Sequence, residues 1–111
     1  MCNTSFNEIY AGDDVTYIIK CYDPDNPEGW PGFVEGDISE MVITGLDEPV
    51  RIPGSVRDTP TELQFYISGE QTQALADAIQ PKFCIHIYWH DGGRYTPVAE
   101  APLIFRRCCD D

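Results

Sequence analysis

Lys82-Phe83-Cys84-Ile85-His86-Ile87-Tyr88-Trp89-His90, followed by Asp91-Gly92-Gly93 and Arg94-Tyr95, is the stretch that decides the fold. Phe83, Ile85, Ile87 and Trp89 alternate with Lys82, Cys84, His86, Tyr88 and His90. That two-residue period belongs to a strand with one face in a core. Asp91-Gly92-Gly93 supplies residues that tolerate positive φ, so the chain turns there and Arg94 to Ala99 returns as the second arm of a hairpin.

The same period recurs upstream. Leu63, Phe65 and Ile67 alternate with Gln64, Tyr66 and Ser68, and Val15, Tyr17, Ile19 and Cys21 alternate with Thr16 and Lys20, although Ile18 blurs the pattern. Ile38 to Thr44 is a further strand in which Ile38 and Val42 are out of phase with Met41 and Ile43, implying a bulge or burial on both faces. Pro53-Gly54 interrupts Val50 to Val56, which suits an edge strand. Phe6 to Tyr10 and Leu103 to Arg107 are the first and last candidates. Between Gly69 and Gln80 the period changes: Leu75, Ala78 and Ile79 have helical spacing, and Pro81 stops the helix. The expectation is one all-β domain over 1–111, an immunoglobulin-like antiparallel sandwich of seven to eight strands with a short helix near 70–80 and a short flexible tail about 106–111.

The charge narrows the function. Nineteen acidic residues against seven basic ones leave −12, a field that repels nucleic-acid phosphates and anionic membranes. No direct nucleic-acid or membrane partner is expected. No window approaches the roughly 20 apolar residues of a membrane span. Met1 to Ser5 lacks a basic or apolar leader, so synthesis in a reducing cytoplasm with free thiols is the expectation.

Reactive constellations are weak. Cys21 and Cys84 stand on two strands with Trp30 between them, as in an immunoglobulin intersheet disulfide. The phase opposes that pairing, since Cys84 points outward with Lys82 and His86 while Cys21 has the phase of a small buried hydrophobe. His86 and His90 share a strand face but lie about 13 Å apart, too far for one metal. Cys84 and His86 can chelate in principle, yet two further ligands at suitable spacing are missing. Asp23, Asp25, Asn26 and Glu28 offer oxygen ligands for calcium but miss the EF-hand pattern at Pro27. Ser5, Ser39, Ser55 and Ser68 lack a nucleophile-elbow context. No catalytic residue, metal or cofactor is expected, and the chain is not expected to be an enzyme.

Five stretches taken in order carry a likeness to known proteins: Ala11-Gly12-Asp13-Asp14-Val15-Thr16-Tyr17-Ile18-Ile19; Phe33-Val34-Glu35-Gly36-Asp37-Ile38; Leu63 to Ser68; Gln71-Thr72-Gln73-Ala74-Leu75; and Phe83 to Tyr95. Their order resembles the immunoglobulin-like domain at the N-terminus of tailed-phage baseplate upper proteins, and the short stand-alone phage tail proteins similar to it. Val34-Glu35-Gly36 stands where that family usually has Leu-Thr-Gly, and the Cys108-Cys109 tail is not part of its pattern. The resemblance implies a virion structural part of a tail, baseplate or neck, made in the host cytoplasm and assembling symmetrically with itself and with other virion proteins. On this view Trp30, Tyr66 and Tyr88 are interface aromatics, His86 and His90 belong to a contacting face, and Arg106 and Arg107 lead into a neighbouring subunit. The alternatives are a capsid decoration or head-fibre protein, a small acidic phage inhibitor that mimics DNA, and a glycan-binding module using Trp30.

Overall fold

The computed structural model describes residues 2–3, 8–22, 25 and 29–106. Among them nine strands form: β1 (Cys2–Asn3), β2 (Glu8–Tyr10), β3 (Val15–Cys21), β4 (Ile38–Thr44), β5 (Val50–Val56), β6 (Glu62–Ile67), β7 (Lys82–Tyr88), β8 (Arg94–Pro102) and β9 (Ile104–Arg106). One helix, α1 (Gly69–Leu75), lies between β6 and β7. Seven strands make one antiparallel sheet in the order β1-β3-β6-β5-β4-β7-β8, and β2 pairs with β9 in parallel as a small second sheet.

The large sheet curls until its inner face closes on itself. Tyr17 on β3 meets Phe83 on β7 edge-on at 5.6 Å, although three strands separate them in the sheet. Ile19, Leu63, Phe65, Ile67, Met41, Ile43, Ile85 and Ile87 fill the space between, all essentially without solvent contact. The fold is therefore all-β and sandwich-like, with two layers that remain one sheet. The inward positions are the alternating apolar ones of β3, β6 and β7, because a pleated strand sends successive side chains to opposite faces. On β4 both faces are covered at Val42, and its ladder with β7 runs without a shift from Ile38 to Thr44. Val42 accounts for the doubled phase of that strand by two-sided burial, while Ile38 stands exposed.

β5 overturns the expectation of an edge strand. Its first half, Val50 to Pro53, pairs with β4, and its second half, Gly54 to Val56, pairs with β6. Pro53 removes a backbone donor where the strand changes partner, and a break in one ladder is tolerable there. Gly54 has no space for a side chain: a Cβ would run into Ser39 Oγ and come within 2.7 Å of Phe65 Cε1. The proline-glycine pair thus marks the bend that joins the layers.

Cys21 supplies the second correction. It is buried, as its phase suggested, but it is disulfide-bonded and not a free thiol. β1 runs antiparallel to the end of β3 with the backbone of Cys2 opposite that of Cys21, a pairing across the sheet edge that no local pattern announces. Cys84 is free, so the bond is not the immunoglobulin-type bridge.

α1 is shorter than the segment with helical spacing, ending at Leu75. Ser68 starts it with a capping box: its hydroxyl accepts the Gln71 N–H, and Gln71 Oε1 accepts the Ser68 N–H at 2.9 Å. The hairpin lies where expected, with Gly92 and Gly93 at φ +99° and +88° and β8 running on to Pro102 through two register shifts. Phe6, the 106–111 tail beyond Arg106, and the calcium candidates Asp23, Asn26 and Glu28 lie outside the described residues. No described helix is long and apolar enough to cross a membrane.

Candidate interaction face

Directly opposed residues of an antiparallel pair share a sheet face. Across β5, β4 and β7 this brings Arg51, Val42 and Cys84 into one outward row. Pro53, Glu40 and His86 form the next, and Ile38 and Tyr88 continue into Arg94 of β8. Three of the chain's seven basic residues, Arg51, Lys82 and Arg94, stand on these strands. β4, β5 and β7 together carry a single carboxylate, Glu40, and Arg51 Nη1 donates to its Oε1 at 2.7 Å. Ile38 is 64% exposed and Tyr88 38%.

At the centre of this face Cys84 Sγ lies 3.3 Å from His86 Nε2, and His86 Nδ1 lies 2.9 Å from Thr96 Oγ1. The Cys-x-His spacing puts the first two on one face. Thr96 arrives because β8 lies beside β7 in the register of Tyr88 with Arg94 and Ile87 with Tyr95, which continues to His86 and Thr96. The His86 and Tyr88 rings are 6.2 Å apart. His86 and Tyr88, chosen from sequence, are thus brought together, and Ile38, Glu40, Arg51 and Thr96 join them. The phase conflict of Ile38 with Met41 was the signal for the first of these. Nothing local signals the other three.

The remaining sequence candidates stand elsewhere. Trp30 is half-buried, edge-on to Phe33 at 4.9 Å and to Trp89 at 6.4 Å, while Phe33 stacks on Trp89 at 5.9 Å. Trp30 therefore closes one end of the core and is not a freestanding exposed anchor. Tyr66 is 53% exposed on the outer face of β6 and bonds to the Asp14 carboxylate. Loss of hydration, the Asp14 charge and that hydrogen bond all hold its phenol above the usual range. His90 lies past the end of β7, in the turn, with its ring against Asp37 at 2.7 Å. It does not share the His86 site. Arg106 ends β9, its side chain lies outside the described residues, and so does Arg107.

Among the described residues no three His, Cys, Asp or Glu side chains gather as a metal site. No family model matches the sequence, and no curated protein matches it.

Proposed function

We propose that this chain is a structural component of a tailed-phage virion, in its tail, baseplate or neck, and that it works by protein–protein contact through the outer face of β5-β4-β7-β8. One observation carries the contact surface. In a chain of net charge −12, the four strands of this face carry two carboxylates, Glu40 paired with Arg51 and Glu100 on β8, beside three basic residues and the exposed Ile38 and Tyr88. Like charges repel copies of an acidic chain, so association with itself costs least where acid is sparse and basic residues stand beside it. An aromatic beside an aliphatic residue supplies the apolar centre that interfaces need. The assignment to a virion rests on the order of segments that resembles the phage baseplate domain.

The test of the virion assignment is mass spectrometry of purified particles, in which the chain is expected as a stoichiometric component. Absence from the particles would reject it. The test of the surface is sedimentation of the chain and its Tyr88→Ala and Ile38→Glu variants. Self-association is expected in the parent and weakened in both.

A further inference from the structure

We propose that Cys84 and His86 form half of a zinc site, completed by the same two residues of a second copy of the chain. The proposal rests on the reading of this face as a self-contact.

Zinc sites that serve structure are tetrahedral, with Zn–S near 2.3 Å and Zn–N near 2.0–2.1 Å, which places a sulfur and a nitrogen on one ion about 3.5 Å apart. Cys84 Sγ and His86 Nε2 are 3.3 Å apart before any metal is considered. A zinc-bound histidine nearly always has its other ring nitrogen fixed by a hydrogen bond. Thr96 Oγ1, 2.9 Å from His86 Nδ1, supplies that restraint and leaves Nε2 on the side of the thiol. Both ligands are half-buried on an outward sheet face, so an ion reaches them from outside the domain.

Among the described residues one chain offers only these two ligands. Glu40, opposite His86 in the ladder, is held by Arg51, and no third His, Cys, Asp or Glu joins them among the described residues. A two-fold axis lying in the plane of the contact brings the two faces together, supplies the missing pair and gives a Cys2His2 set, the self-complementary arrangement of a symmetric dimer. Each thiol gives up its proton on binding, so one zinc ion entering two chains releases about two protons with neutral histidines.

The experiment is native mass spectrometry and zinc titration of the intact chain, with Zn2+ as the probe and circular dichroism to verify folding of each variant. One zinc per two chains is expected, with a metal-dependent dimer lost in Cys84→Ser and in His86→Ala. Thr96→Val is expected to weaken binding by about 10-fold or more, the usual effect of removing a restraint behind a metal ligand. Co2+ substitution is expected to give the ligand-field spectrum of a tetrahedral S2N2 site. Zinc bound one-to-one by a monomer overturns the bridge, as does zinc uptake undiminished in Cys84→Ser. Dimerisation equal with a chelator present and in Cys84→Ser rejects the metal and leaves the self-contact standing. A monomer under every condition rejects both.

Discussion

Asp37 and His90, 53 positions apart, meet at 2.7 Å between Oδ1 and Nδ1 and tie the start of β4 to the end of β7. The Asp37 carboxylate also accepts the backbone N–H of Val34 and of His90, each at 2.9 Å. Burial alone would raise its pKa, but the Val34 and His90 hydrogen bonds and the histidine's charge hold it below the usual range. His90 moves the other way: its bond to Asp37 raises it, against a smaller loss of hydration.

The signs set a pH window. A raised histidine stabilises the fold below its ordinary value, and that contribution disappears as pH climbs through the folded value. A lowered carboxylate stabilises above its ordinary value and loses its contribution as pH falls through the folded one. Both are in place between about pH 4.5 and 6.5. Urea unfolding of His90→Ala is expected to show its largest deficit against the parent near pH 5.5, shrinking by about pH 8.5. A deficit of equal size at both pH values would show that the ion pair contributes nothing.

Thr72 makes a different long-range tie. Its hydroxyl is fully buried, donates to the Asp13 carbonyl at 2.8 Å and accepts the Gly12 N–H at 3.0 Å, fastening α1 to the turn before β3. Thr72→Val keeps the shape and strands both backbone groups, so a loss of about 1–3 kcal/mol is expected. Thr72→Ser retains the hydroxyl and should lose less. Equilibrium unfolding of the two variants separates the hydrogen bonds from the packing.

Gly54→Ala tests the bend in β5. The added methyl meets Ser39 Oγ and the Phe65 ring inside the packed sheet, and overpacking of this kind costs about 1–3 kcal/mol. Gly92→Ala is the contrast for crowding, since nothing lies within 4 Å of that Cβ and only its positive φ opposes the change. Thermal unfolding checks both, and a neutral Gly54→Ala would contradict the close approach of the two layers.

The two faces of β7 should respond in opposite ways. Ile85→Ala removes a side chain with no solvent exposure and is expected to destabilise by about 2–5 kcal/mol without directly touching the contact surface. Tyr88→Ala is expected to change stability by about 0.5 kcal/mol or less while weakening self-association. Denaturation and sedimentation on the same two proteins distinguish core from contact.

Local order was plain in the chain. The alternation of Phe83, Ile85 and Ile87 is enough to make β7 and choose its buried side, because a strand's faces are assigned by neighbours two positions apart. Asp91-Gly92-Gly93 sets the hairpin for the same reason, and the Ser68–Gln71 box starts the helix. The outward placement of Cys84 and His86 follows from that phase alone.

What pairs with what was decided elsewhere. Pro53-Gly54 has the local signature of an edge, yet the curl of the sheet makes it a corner with a partner on each side in turn. Cys21 has the phase of a core residue and is one, but nothing in that phase shows that it is disulfide-bonded. Thr96 reaches His86 because β8 lies beside β7, and Asp37 reaches His90 because β4 and β7 lie side by side. The sequence by itself determined which of the longer segments are strands and which side of β3, β6 and β7 is buried, since those depend on residues a few positions apart. Strand partners, the disulfide and the make-up of the contact face were left to the tertiary structure, because they depend on how a curled sheet closes over its core.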